Sequence, residues 1–343
     1  MAVAEAHLHT VDEGQAPLVR RLLAEFVGTL VFVAVGTGAV TALLLGPLKE
    51  FGLVEEAAGG AGSLGPQAQL FQSLLGNNFG DVLAVAFAFA TALAALVYAF
   101  GGVSGAHFNP AVTFSLAIAR RFKWKDVVPY WVVQCLGGIA GAAVIAGIYG
   151  QVDPGQVGGA DVLFGGTTIS DGLSQWQGLL AEAFITFVLV TAIMAIAVDP
   201  RAPKGWSGLI IGLALAGGIL ATASATGGSA NFARSLGPFV VSIFYDQAPK
   251  IPWGDLAIYA AGPLIGGAAA ALVYESVTGL EQYSPAPHPG AATGQGADVE
   301  EALVHEHQEH HHDPDSGHAH EHDGDLHSHP HDHDHGPGHE HKH

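Results

Sequence analysis

Two short polar motifs in this 343-residue chain carry the residues that could contact a small polar molecule. The first reads Ser-Gly-Ala-His-Phe-Asn-Pro-Ala over residues 104–111, and the second reads Gly-Ser-Ala-Asn-Phe-Ala-Arg over residues 228–234. Each motif interrupts a long apolar stretch, and their asparagines, Asn109 and Asn231, lie 122 positions apart. Polar backbone at membrane depth is tolerated only where it lines water or is buried in protein. Two matching breaks therefore predict a pore.

The chemistry expected of this pair is the passage of a neutral molecule that forms hydrogen bonds. A helix that starts at each motif would place about half a positive charge there, through its unpaired N–H groups and its macrodipole. Asn109 and Asn231 add side-chain N–H donors. Carbonyl acceptors would come from the preceding loop residues, which are Gly105, Ala106, His107, Gly227 and Ser229. Asparagine also caps helices, but capping alone does not require two matched breaks.

This arrangement predicts a passive channel that excludes protons and ions. A neutral molecule exchanges one set of hydrogen bonds for another along the path, whereas a cation meets repulsion and loses its hydration shell. Water is the expected solute, and glycerol and dissolved gases are further candidates.

Six apolar stretches are long enough to cross a hydrocarbon core of about 30 Å as helices. They cover residues 19–45, 81–100, 126–149, 176–198, 205–225 and 255–277. Two shorter segments, residues 110–119 and 232–244, follow the motifs and span only half a bilayer at about 1.5 Å per residue. Pro110 suits a first helical position, because its missing N–H has no helical partner there. The predicted fold is an all-α membrane protein with six transmembrane helices and two re-entrant half-helices.

The order helix, helix, half-helix, helix occurs twice, and short sequence echoes accompany it, such as Ala24-Glu25 with Ala181-Glu182. Three spans in each repeat make the two repeats inverted in the membrane. The predicted organisation is an N-terminal segment, a channel domain with two repeats, and a tail. Their residues are 1–18, 19–277 (repeats near 19–149 and 176–277) and 278–343.

Composition and charge agree with a membrane protein. The chain is 49% hydrophobic and 13% charged, against about 25% charged in a soluble domain. Its net charge of −19 would repel nucleic acid. Basic residues near the span ends lie mainly on the face shared by both termini, namely Arg20, Arg21, Arg120, Arg121, Lys123, Lys125, Arg201 and Lys204. The positive-inside rule therefore predicts cytoplasmic termini and a multi-pass protein of the cell membrane.

The motif Asn109-Pro110-Ala111 resembles the signature of the aquaporin (major intrinsic protein) family, and Asn231-Phe232-Ala233 resembles its second copy. The resemblance covers about residues 19–277 and is strongest to archaeal aquaporins. It implies a homotetramer with one pore per subunit and no required cofactor. Phe232 stands where the family has proline, which leaves φ free and restores an N–H. A less fixed start of the second half-helix is therefore expected.

The resemblance also implies an aromatic/arginine constriction formed by Phe89, Ile219, Gly228 and Arg234. Water-selective members have His, and Thr or Cys, where this chain has Ile219 and Gly228. Glycerol facilitators carry Asp where Ser235 stands and a second aromatic residue at Gly228. This chain matches neither pattern, so the constriction is predicted to be wider and less polar than in water-selective relatives.

Three further ionisable residues near the motifs have alternative interpretations. Glu25 and Glu182 could relay protons, but the resemblance implies that they brace the motif loops by accepting backbone N–H bonds. His107 could bind a metal, but no second intramembrane His or Cys is placed to join it. A packing role in the loop is therefore expected for His107.

The tail after residue 278 has a different composition, dominated by Pro, Gly, His, Asp and Glu. It has too little apolar surface to fold alone, so disorder is predicted. Its histidines could bind Zn²⁺, Ni²⁺ or Cu²⁺, and the candidate ligands are His310, His311, His312, His318, His320, His322, His327, His329, His331, His333 and His335.

The tail also raises an alternative function, that of a metal-responsive membrane protein or metal transporter. The spans, however, lack the inward-facing His, Asp and Glu clusters of a metal path. No nucleophile with its base, cofactor fingerprint or metal motif indicates an enzyme.

Overall fold

The computed structural model describes residues 16–50, 79–150, 164–244, 252–280, 321–322 and 325–326. The helices within these ranges are α1 (Leu18–Glu50), α2 (Phe79–Ser104), α3 (Pro110–Ile118), α4 (Trp124–Tyr149), α5 (Gln175–Ile193), α6 (Ser207–Thr226), α7 (Phe232–Ser242) and α8 (Trp253–Thr278). A π-helical turn, Met194–Val198, continues α5. Two strands, β1 (Glu321–His322) and β2 (Asp325–Leu326), pair antiparallel and belong to a unit separate from that of the helices.

The predicted fold class is confirmed, because six of these helices are long and apolar enough to cross a membrane. The two short helices, α3 and α7, start at the motifs as expected. The first span was predicted over residues 19–45, and the apolar span of α1 covers Leu18–Leu43, while the helix itself continues to Glu50.

The helices pack in a pattern that repeats between the two halves of the chain. In the first half α1 packs against α4 and α2, and in the second half α5 packs against α8 and α6. The halves interlock, since α7 packs against α4 and α3 packs against α8. Each half-helix is thus held by the last spanning helix of the other repeat, and this brings both half-helix starts to one place.

Glycines permit this close packing where helix backbones touch. A Cβ added at Gly141 would overlap the carbonyl oxygen of Leu30, and one added at Gly266 would overlap that of Ala183. Gly138 lies in the same way against the carbonyl of Ala233 in α7. Small residues let helix backbones approach in a bilayer, so Gly138 permits the close approach of α7 to α4, while Gly141 does so for α4 with α1 and Gly266 for α8 with α5.

The connection from α5 to α6 is tied by a carboxylate outside the spans. Asp199 accepts hydrogen bonds from the Arg201 guanidinium and from the hydroxyl of Tyr274 in α8, the latter at 2.9 Å. Arg201 lowers the pKa of Asp199 to about 2. Asp199 is therefore ionised throughout the physiological pH range, and the connection stays tied to α8.

Candidate pore and constriction

The two loops that precede α3 and α7 have the same unusual backbone. Each loop places three of four consecutive residues at positive φ, between 50° and 91°, and these residues are Gly105, Ala106, Phe108, Gly227, Gly228 and Ala230. A residue with a Cβ loses about 1–2 kcal/mol in this conformation. The loops therefore need strong partners to hold them.

In the first loop the partner is Glu25, a fully buried carboxylate of α1. One carboxylate oxygen accepts the Ser104 hydroxyl at 2.6 Å and the His107 N–H at 3.0 Å. The other accepts the Phe108 N–H at 2.7 Å and the side-chain amide of Gln134 at 2.9 Å. The carboxylate thus accepts four hydrogen bonds, two of them from the strained backbone.

Glu182 of α5 occupies the equivalent place in the second loop. It accepts the Thr226 hydroxyl at 2.7 Å, the Ser229 N–H at 3.0 Å and the Ala230 N–H at 2.8 Å. Its side chain is fully buried as well. The two carboxylates therefore share three contacts at matching positions, with one hydroxyl and two backbone N–H groups, and Glu25 has the Gln134 amide in addition.

A buried tyrosine supports each loop from the last spanning helix of its repeat. The Tyr130 hydroxyl donates to the Ser104 carbonyl at 2.9 Å, and the Tyr259 hydroxyl donates to the Thr226 carbonyl at 2.7 Å. The sequence analysis did not assign this contact, nor that of Gln134. The sequence signal for this contact was that Tyr130 precedes the pair Gly137-Gly138 by the same spacing as Tyr259 precedes the pair Gly266-Gly267.

The motif asparagines both cap their own helix and reach across to the opposite loop. The Asn109 side chain accepts the Ala111 N–H at 2.9 Å and donates to the Ala230 carbonyl at 2.7 Å. The Asn231 side chain accepts the Ala233 N–H at 3.0 Å and donates to the Phe108 carbonyl at 2.9 Å. The two half-helix starts are therefore cross-linked. Each side-chain amide retains a second N–H for a solute.

The two half-helices start with nearly the same cap geometry, although Phe232 stands where the first has Pro110. Asn109 has φ −153° and ψ 122°, and Asn231 has φ −153° and ψ 110°. Asn231 also accepts the Arg234 N–H, at 3.4 Å. The cap and the cross-link set the start of α7, so a proline ring is not needed there.

A test of this explanation is the variant Phe232→Pro. The Phe232 N–H donates to no acceptor among the described residues, so proline removes no hydrogen bond. We expect an unchanged water permeability and a stability gain of about 0.4–1 kcal/mol from the restricted unfolded chain. Thermal unfolding in detergent measures the latter. The control Ala233→Pro removes an N–H bonded to Asn231 and should destabilise; a loss of stability in Phe232→Pro would contradict the explanation.

A cavity that opens to solvent runs from the asparagines toward the start of α1, where Arg21 lines it. Its lining includes both asparagines and the loop residues Gly105, Ala106, His107 and Ser229, whereas the opposite wall is apolar, with Leu93, Val97, Leu189, Ile193, Ile211 and Leu215. The carbonyls of these four loop residues and of Gly227 accept no hydrogen bond within the described part of the chain. The cavity thus has free acceptors along the loops and an apolar stretch of wall, and Arg21 and Arg121 also line it.

The four residues of the predicted constriction form two contacting pairs beyond this cavity. The Arg234 guanidinium lies 5.0 Å from the centre of the Phe89 ring. Gly228, at φ +59°, lies against Ile219. Phe89 lies one helical turn from the cavity-lining Leu93 of α2, and Ile219 lies one turn from the cavity-lining Leu215 of α6, so both pairs lie just outside this cavity.

Arg234 is 2% exposed. Its Nη1 donates a hydrogen bond at 2.8 Å to the carbonyl of Gly165, which belongs to residues 164–174, the segment before α5 that we call the outer loop. Its Nε is buried and has no acceptor within the described ranges. An intramembrane cation of this kind is a candidate functional residue.

His107 packs within the first loop, against α3 and the aromatic rings beside it. Its Nδ1 lies 3.1 Å from the Thr113 hydroxyl, and its ring contacts Phe122 and Tyr130. Among the described residues no three His, Cys, Asp or Glu side chains are grouped so as to hold a metal ion. The tail histidines listed above lie outside those residues, except His322, of which only the backbone is described.

Six spanning helices with two half-helices that meet at a polar-walled cavity define a channel-type membrane protein. The sequence profile described as major intrinsic protein matches residues 13–274. The chain belongs to this family.

Comparison with individual proteins agrees. The chain is 40% identical over 263 residues to aquaporin AqpM of Methanothermobacter marburgensis, covering 76% of this chain and 98% of that protein. It is 38% identical to a probable aquaporin AqpM of Archaeoglobus fulgidus, covering 75% and 96%. The crystal structure of the aquaglyceroporin from Plasmodium falciparum has a TM-score of 0.59 at 20% identity, covering 78% of this chain and all of that one. The last likeness concerns the fold alone, and the predicted similarity to archaeal aquaporins is confirmed.

Proposed function

We propose that the protein is a passive channel, not an enzyme, that conducts water and small neutral solutes and excludes protons and ions. The observation that carries this proposal is the cross-linked pair Asn109 and Asn231 at the inner end of a cavity with free carbonyls along one wall. By likeness to the family, we further propose a homotetramer in the cell membrane with both termini in the cytoplasm.

The path supplies donors and acceptors in an order that suits water. At the asparagines a water oxygen accepts from the remaining side-chain N–H groups, while its hydrogens lack a forward acceptor because the facing wall is apolar. Along the cavity the loop carbonyls accept the hydrogens instead. This orientation breaks a proton-conducting file, and the two half-helix starts add a positive field against cations.

The experiment is stopped-flow shrinkage of proteoliposomes against sucrose, combined with a pH-jump assay on the same vesicles. We expect an osmotic water permeability well above that of empty liposomes, with a low activation energy, and no added proton flux. A water permeability equal to that of empty liposomes would contradict the channel. A protein-dependent proton flux comparable to water flux would contradict the electrostatic mechanism alone.

We propose that Phe89, Ile219, Gly228 and Arg234 form the selective constriction, and that the motif loops with Pro110, Ala111 and Ala233 form the pore. Glu25 and Glu182 brace these loops, which their seven hydrogen bonds support. Since Ile219 contributes no polar group, a solute larger than water should pass at a cost set by missing hydrogen bonds.

The solute range is tested by Ile219→His, since a substitution at Gly228 would be strained by its positive φ. Histidine adds bulk and a donor, so we expect the ratio of water to glycerol permeability to rise about tenfold. The measurement is stopped-flow light scattering with sucrose and with glycerol. Ile219→Val is the apolar control and should leave the ratio unchanged or lower it. An unchanged ratio in the histidine variant would place the narrowest point at the asparagines.

For the tail we propose metal binding through its interspersed histidines and carboxylates, with Zn²⁺, Ni²⁺ or Cu²⁺ as the ligand. The experiment compares Zn²⁺ binding by calorimetry to the full chain and to a chain truncated after Thr278. Binding that persists after truncation would contradict the proposal. Nothing in the described residues favours the alternative of a metal transporter.

A further inference from the structure

Three buried hydroxyls form a chain between the outer loop and the second pore loop. The Thr167 hydroxyl lies 2.8 Å from that of Ser235, and the Ser235 hydroxyl lies 2.6 Å from that of Ser229. The Ser229 hydroxyl in turn donates to the Asn231 carbonyl at 2.9 Å. All three side chains are at most 3% exposed. The middle of this chain is Ser235, the residue that follows Arg234.

This hydroxyl chain joins the two halves of the proposed constriction. Ser229 follows Gly228, which lies against Ile219, and Ser235 follows Arg234, which lies on Phe89. The bond between Ser229 and Ser235 is therefore a direct polar link from one pair to the other.

The outer end of the chain holds the loop that anchors the arginine. The Arg234 side chain donates to the Gly165 carbonyl, two residues before Thr167. Thr167 also packs its methyl group against Gly227, at the start of the second pore loop. The hydroxyl chain thus fixes the acceptor of Arg234 relative to the backbone on which Arg234 stands.

The first half of the molecule contains a similar link, in which Thr113 joins His107 to Gln134. Thr113, four residues after Asn109 as Ser235 is after Asn231, lies 3.1 Å from the His107 ring nitrogen and accepts the Gln134 side-chain amide at 2.9 Å. Here the partner is a spanning helix rather than a loop. Of these two links, therefore, the second connects a pore loop to the outer loop, and the first connects a pore loop to α4.

We propose that Ser235 is a positioning residue for the constriction. By binding Ser229 and Thr167 at once, it sets the distance between Arg234 and Gly228, and so the size of solute that is admitted. This inference rests on the proposed channel function. Removal of the hydroxyl frees the outer loop and Arg234 to move apart from Gly228, so the pore should discriminate less between water and a larger solute.

The test measures water and glycerol permeability of Ser235→Ala in proteoliposomes. We expect the water-to-glycerol ratio to fall about threefold, the equivalent of one net hydrogen bond. Thr167→Val removes the outer member at constant shape and should lower the ratio similarly. Ser235→Thr restores the hydroxyl, and Thr113 shows that the equivalent position accepts threonine, so this variant should recover the wild-type ratio. Ser276→Ala, an exposed serine bonded within α8, is the matched control.

The outcomes separate this inference from the channel function. If the wild-type protein conducts no water, the channel function fails. If it conducts but Ser235→Ala and Thr167→Val keep the wild-type ratio, the positioning role fails. The role also fails if Ser235→Thr behaves as Ser235→Ala, because bulk rather than the hydroxyl would then be responsible. If Ser235→Ala does not reconstitute, the ratio in Thr167→Val decides.

Discussion

Replacing Glu182 with alanine is expected to destabilise the folded protein by about 3–5 kcal/mol, since two buried N–H groups lose their acceptor at about 1–3 kcal/mol each. These belong to Ser229 and Ala230, and the Thr226 hydroxyl loses its acceptor too. The left-handed backbone at Ala230 would relax, and Asn109 would lose the carbonyl to which it donates. Water permeability per folded molecule should fall together with the stability.

The measurement is thermal unfolding in detergent, followed by water flux normalised to folded protein. Glu182→Gln keeps the shape but points an amide donor at N–H groups, so we expect an intermediate loss. Asp171→Asn, at an exposed carboxylate outside the pore loops, is the control. Wild-type stability in Glu182→Ala would show that the loop is held by its own backbone and by Tyr259, and not by the carboxylate.

Replacing Arg234 with alanine is expected to admit cations and larger solutes. A monovalent cation about 6 Å from the guanidinium is repelled by about 3 kcal/mol at an effective dielectric constant of 20. Its removal should raise cation entry by about a hundredfold. The lost side chain also widens the constriction beside Phe89, so glycerol flux should rise more than water flux.

Cation flux is measured with a potential-sensitive dye in vesicles that carry a K⁺ gradient. Arg234→Lys keeps the charge but not the planar fork, so it should still exclude cations while it loses part of the solute selectivity. Cation exclusion that persists in Arg234→Ala would assign the barrier to the half-helix starts at Asn109 and Asn231.

Much of the architecture could be predicted from the chain, because hydropathy is local. The six spans follow from apolar length, and the half-helices follow from the short segments after each motif. Hydropathy marks the membrane-crossing length of α1, Leu18–Leu43, and does not show that the helix continues to Glu50. The effect of Phe232 on the start of α7 stays a prediction, while the Asn231 cap has the same geometry as the Asn109 cap.

The sequence by itself determined the membrane class, the duplicated order of elements and the residues that meet at the pore, because these depend on residue type and spacing. Only the tertiary structure decided which atoms hold the loops. The contacts of Glu25 with Gln134, of each asparagine with the opposite loop, and of Ser235 with Thr167 join residues 68 to 123 positions apart. Sequence periodicity does not predict such pairs, since hydrogen-bond partners depend on how the helices pack in the folded chain.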